Sequence, residues 1–216
     1  MATITLDFTG VADTNPYSPP SDWLSVGQVS ARIFGSAWSS TGSTNTIWIY
    51  DKVPTGIITS DVTLGTINSS DSRGPASVNS SGNGYILLVR STDARLFLVN
   101  AGVLGTQVGS TYSGTFALND VVRMTHDPAT GGFIVYKNAV QITTFTNSTY
   151  ATGMRAGLMS RAGGGHIKSV SVSDYVTQAV TSINGGNPFT ASQTSSSAIT
   201  TGFTNLPATI TSDVTG

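Results

Sequence analysis

The amino-acid sequence predicts an all-β protein whose first ~175 residues form a two-sheet antiparallel sandwich. Three observations predict it. Short apolar and polar alternations of period 2 recur along the chain, clusters of Gly, Ser, Asn and Pro separate them, and none of the eleven acidic residues is a glutamate. Glutamate is a strong helix former and the usual partner in a capping box, so its absence argues against long helices. The 38% hydrophobic content is enough to build a core, while only 10% of residues are charged and Ser, Thr, Asn and 24 glycines supply the polar balance.

The elements follow in chain order. Residues 3–9 alternate, with Ile4, Leu6 and Phe8 on one face and Thr3, Thr5, Asp7 and Thr9 on the other. A loop with Pro16, Pro19 and Pro20 follows, and Trp23 after it is placed as a plug at one end of the core. Strands are expected at about 28–35, 46–53 and 57–65. Tyr85–Arg90 and Arg95–Val99 flank the turn residues Ser91–Ala94 and make a hairpin, with Leu96 and Leu98 on one face and Phe97 and Val99 on the other. A second hairpin joins Gly132–Tyr136 to Val140–Phe145 through Lys137–Ala139, and Val121–Thr125 lies beside it. In the last strand, His166–Val172, Val170 and Val172 share a parity that Ile167 does not, which a bulge or a strand start near Ser169 reconciles. Strands at this spacing with no helical period between them fit a sandwich or barrel.

Composition shifts near Val176. Residues 177–216 hold Phe189 and Phe203 as their only aromatics and no Arg or Lys, and at this length the segment is too small for a core of its own. The expected organisation is a sandwich over 1–175 and, over 176–216, a Ser/Thr-rich linker that opens a further β-rich extension.

Composition also excludes function classes. A net charge of −1 provides no long-range field for nucleic acid or an anionic membrane surface. No window approaches the ~18 apolar residues that span a bilayer. The N-terminal residues have neither a basic n-region nor an apolar h-region, so the expectation is a soluble chain made without a Sec signal. Without cysteine there are no disulfides and no thiolate metal sites.

Four pieces carry a family resemblance: Asn83–Val89 with Arg95–Val99, Leu118–Met124, Gly132–Asn138 and Ala151–Leu158. The run from Gly84 to Tyr175 resembles the concanavalin A-like lectin/glucanase superfamily in its laminin-G-like or pentraxin-like jelly-roll branch. That resemblance implies a jelly-roll sandwich, a habit of binding carbohydrate or protein, and a closing strand paired with residues 3–9. It also implies an Asn-Gly turn after the third piece; Ala139 replaces the glycine, so a different turn type is expected there. Separately, Ser182–Gly186 through Thr201–Phe203 looks like the first half of immunoglobulin-like repeats of adhesins and phage virion proteins.

Chemistry is sparse. Glycosidases of this fold place paired glutamates on one strand, and with no Glu the chain is expected not to be an enzyme. His126-Asp127-Pro128 reads as a hairpin turn, His166 as a strand start, and no Gly-x-Ser-x-Gly elbow accompanies them. Calcium is the one cofactor considered, with Asp71, Asn83, Asp93 and Asp127 as loop ligands that are equally ordinary turn residues. Ile47-Trp48-Ile49-Tyr50 is apolar on both faces, so both sides of that strand are expected to be covered, one by the core and the other by a ligand, a subunit or a curved sheet. Trp48 and Tyr50 either stack on sugar rings from an exposed face or fill the core while Ile47 and Ile49 meet a neighbouring chain; Trp38 is a loop anchor or a ligand-facing residue. The sequons at Asn68, Asn79 and Asn147 are read as Ser/Thr-rich sequence.

These features point to a non-catalytic structural or binding module of a tailed-phage virion, in a head decoration, fibre, tail or receptor-binding protein. Its expected partners are other virion proteins, copies of itself or a cell-surface glycan. The alternative is a bacterial surface or secreted lectin-like carbohydrate-binding module.

Overall fold

The computed structural model describes residues 3–27, 31–41, 45–54, 56–70, 72–161 and 165–174. The expectations for 176–216, and the candidate ligand Asp71, lie outside them. The described residues form fifteen strands and no helix: β1 (Thr3–Asp7), β2 (Trp23–Gly27), β3 (Ala31–Ile33), β4 (Trp38–Ser40), β5 (Asn45–Tyr50), β6 (Ile58–Leu64), β7 (Ser72–Val78), β8 (Gly84–Val89), β9 (Asp93–Asn100), β10 (Val103–Ser113), β11 (Val121–Asp127), β12 (Gly132–Lys137), β13 (Val140–Thr146), β14 (Arg155–Arg161) and β15 (Ile167–Asp174).

They make two antiparallel sheets. One runs β13-β12-β11-β6-β15-β4-β3, with β1 also paired to β15; the other runs β10-β9-β8-β7-β14-β5-β2. The closing pair joins β1 to β15 with Leu6 opposite Val170. A register shift between Ile167 and Ser169 lets Ile167, Val170 and Val172 all enter the core despite their different parity.

The main core lies between the sheets. Alternation delivers it: in β11, Val122, Met124 and His126 are buried while Val121 and Arg123 are exposed. Phe8, Trp38, Trp48, Leu87, Leu96, Phe133 and Val135 belong to this cluster.

A second apolar cluster occupies the opposite face of the seven-stranded sheet, with Ile47, Ile49, Ile86, Leu88, Val99 and Met159. Register separates the two faces: Leu158 pairs with Trp48 and both face the main core, whereas Met159 pairs with Ile47 in the second cluster. The sheet curls over this side until diagonally opposite corners meet. Gly27 ends β2 at one edge, Gly102 turns between β9 and β10 at the other, and a Cβ added to Gly102 would lie 2.1 Å from the Cα of Gly27. Both have positive φ, +91° and +77°, so glycine suits each conformation as well as the close approach. Asn45 reinforces the corner by donating from Nδ2 to the Gly102 carbonyl at 3.4 Å. Of the three coverings open to the outer side of β5, the curved sheet is the one found.

Two expectations need correction. The second hairpin keeps the turn geometry that Ala139 was expected to prevent: Lys137 pairs with Val140, and both Asn138 and Ala139 have positive φ, 49° and 66°, the signature of a type I′ turn. Trp38–Ser40, read as a loop anchor or ligand-facing stretch, is a strand, and so is Trp23–Gly27, for which no strand was expected.

Candidate functional site

The aromatic candidates are placed first, because their burial removes them from any ligand. Trp38 and Trp48 are both 0% exposed and Tyr50 is 8% exposed. Trp38 and Trp48 pack against each other with ring centroids 5.0 Å apart, and Trp23 lies 5.8 Å from Tyr50. The exposed sugar-stacking platform is therefore corrected to core packing: on a strand with two buried faces, the larger rings fill the space between the sheets. Ile47 and Ile49 face the curled sheet's own cluster.

Among the described residues the candidate calcium ligands Asn83, Asp93 and Asp127 sit in separate loops or strand ends, each engaged by neighbouring groups. Asn83 accepts the Ala101 N–H at 2.8 Å. Asp93 holds Arg95 through two hydrogen bonds of 3.1 and 3.0 Å. Asp127 accepts from the Ala129 N–H at 3.0 Å and the Thr130 hydroxyl at 2.8 Å, closing its hairpin turn. Among the described residues no three His, Cys, Asp or Glu side chains cluster in a way that would hold a metal. The three sequons share one geometry: Asn68, Asn79 and Asn147 each accept the N–H two residues on, from Ser70, Ser81 and Thr149 at 3.0 Å.

His126 is buried between the sheets. Its Nδ1 shares a 2.8 Å hydrogen bond with Ser77 Oγ, its ring stacks on Phe133 at 4.1 Å, and its Nε2 has no partner. Burial pushes its pKa down to about 4, against the opposing pull of Asp127. Nearby, the Tyr85 hydroxyl donates to Asn147 Oδ1 at 2.9 Å and accepts the Tyr150 N–H at 2.9 Å. His126 and Ser77 tie the two sheets together, and both are fully buried.

Two concave features remain. At one end of the sandwich a cleft of about 460 Å³ is lined by Val53, Pro54, Ile58, Asp127, Pro128 and Met154. Its one carboxylate is the one that closes the hairpin turn. The other feature is the curled side of the seven-stranded sheet, where the apolar cluster gives way at one end to a polar row. Arg161 of β14 pairs with Asn45 of β5 on one flank and with Ser72 of β7 on the other. Ser72 accepts from Arg90 Nε at 3.2 Å, and the Arg90 N–H donates to the Asp93 carbonyl at 2.9 Å. Strand alternation points Asn45, Arg161, Ser72, Arg90 and Asp93 to the same side as Ile47, Met159, Leu88 and Phe97. The sequence reading missed this row. Its signal was available in the parity Arg90 shares with Leu88 and Arg95 with Phe97, but only a known second buried face makes that parity meaningful.

No family model matches the chain, and no curated protein matches it. Solved structures do. The carbohydrate recognition domain of Emp47p aligns with a TM-score of 0.51 at 13% identity, over 79% of this chain and 94% of that one. The Crh5 transglycosylase aligns at 0.53 and 14% identity, over 81% and 85%. The carbohydrate-binding module CBM66 from Bacillus subtilis aligns at 0.49 and 14%, over 70% and 91%. At such identity the likenesses above 0.5 show the fold, an all-β jelly-roll sandwich of the kind found in a lectin-like domain.

Proposed function

We propose that the sandwich is a non-catalytic carbohydrate-binding module, lectin-like in use as well as in architecture. The likeness to the Emp47p carbohydrate recognition domain, across nearly the whole of that domain, carries this reading. The likeness to a transglycosylase raises the rival, an enzyme. Against it stand the absence of glutamate and the state of the two aspartates at the curled face: Asp93 is held by Arg95, and Asp51 lies 3.5 Å from Arg155. Neither is placed to share a proton with a second carboxylate.

Of the two settings considered from sequence, the fold favours a surface or secreted module, and nothing in the structural likenesses speaks for a virion. Among the described residues no helix is long and apolar enough to cross a membrane.

A glycan array probed with the full chain tests the reading, with selective binding expected. Failure to bind any glycan, alongside tight association with a phage particle, would return the virion assignment. Trp48 is the wrong residue to mutate in such a test, since its loss opens the core.

A further inference from the structure

Resting on the carbohydrate-binding reading, we infer that the polar row at the end of the curled face binds an anionic sugar, one that carries a carboxylate or sulfate, between Arg161 and Arg90. Adjacent strands lie about 4.8 Å apart, so these two arginines, one strand either side of Ser72, have Cα atoms about 10 Å apart on one face. That is room for one sugar ring. Arg161 is half-buried and makes no hydrogen bond or ion pair among the described residues. A half-buried guanidinium without a counter-charge has donors left for a ligand. Arg90 commits only its Nε, to Ser72, which leaves the end of its fork open.

The acids do not neutralise the row. Of Arg161, Arg90 and Arg95, only Arg95 has a carboxylate partner, Asp93. Planar guanidinium forks match the two oxygens of a carboxylate or sulfate in a way a lysine would not. Asn45, the register neighbour of Arg161, has a buried Oδ1 with no hydrogen-bond partner. Two guanidinium groups without carboxylate partners suit a ligand that offers an oxyanion.

The test measures binding of tetragalacturonate, its methyl ester, and a sulfated oligosaccharide to the full chain by calorimetry. An acidic glycan is expected to bind at least about tenfold more tightly than the neutral ester, which is the worth of one charge-assisted hydrogen bond. Whether the carboxylate or the sulfate binds better identifies the ligand's anion. Arg161→Gln and Arg90→Gln should each weaken binding about tenfold without moving Tm by more than a few degrees. Arg123→Gln, on the outward face of the other sheet and paired with Asp61 at 2.6 Å, should change nothing. Raising salt from 50 to 500 mM should weaken binding of the unaltered protein, a readout that needs no variant. Equal binding of acid and ester, or equal loss in the Arg123 variant, overturns the inference and leaves the carbohydrate-binding reading standing. Loss of all glycan binding on the array removes both.

Discussion

His126 lies flat on Phe133 with one ring nitrogen bonded to Ser77 and the other without a partner, so the neutral ring is tolerated and the cation is not. Its folded pKa of about 4 is below the 6.5 of the unfolded chain. Between those values the unfolded chain takes up a proton that the folded one refuses. Stability is therefore complete above about pH 6.5 and falls as pH drops toward 4, by on the order of 3 kcal/mol from this residue. Urea midpoints at pH 7 and pH 4.5 should show a larger drop for the native protein than for His126→Gln; equal drops would place the acid sensitivity in other groups. Ala139 offers the opposite case. Its φ of 66° costs an alanine about 1–2 kcal/mol that glycine avoids, partly offset by glycine's greater freedom when unfolded. Ala139→Gly should raise stability by about 1 kcal/mol in denaturant titrations, and a loss would mean that the turn is held by its neighbours rather than strained.

At the scale of elements, the corner where Gly27 meets Gly102 governs the shape of the seven-stranded sheet. A methyl group on Gly102 meets backbone, which cannot swing away, and also stands in the left-handed region. Gly102→Ala should cost about 2–3 kcal/mol, from strain and overpacking together, and should expose the second apolar cluster to a hydrophobic dye. Unchanged stability and no dye binding would show that the corner closes by other means. The same elements show what the sequence conveyed. The hairpins of β8 with β9 and β12 with β13 were legible because two apolar runs flank a short polar turn, although the type of the second turn was not. β7 was not: Ser72–Val78 contains Gly74 and Pro75, which argue against a central strand, yet it lies between β14 and β8, and the β7–β8 pairing skips those two residues. β10 was hidden by its glycines and by two irregularities in register, and β4 by its three-residue length. The arginine row escaped notice because its members come from strands far apart in sequence, and only the register sets them side by side.

For the molecule as a whole, the sheets are built from pairs distant in sequence, such as β5 with β14 and β1 with β15. Closing such long loops precedes any reward in contacts, so refolding from denaturant should take milliseconds to seconds or longer rather than microseconds. Stopped-flow fluorescence of the buried tryptophans measures this, and microsecond folding would imply that local hairpins alone form the rate-limiting structure. Phe8, 1% exposed beside Trp38 and Trp48, couples the first strand to the core, so Phe8→Ala should cost about 3–5 kcal/mol. A value near zero would show the first strand to be an appendage. The pairing of that strand with β15 sets Thr3 directly opposite Ser173, about 5 Å across the ladder. The order of strands in the sandwich is thus cyclic, and the peptide bond that opens the circle need not lie where the chain places it. A turn of a few residues joining 174 to 3, with new ends cut between Asn138 and Ala139, describes a circular permutant that keeps every strand's neighbours and moves the fusion point to the opposite side of the eight-stranded sheet.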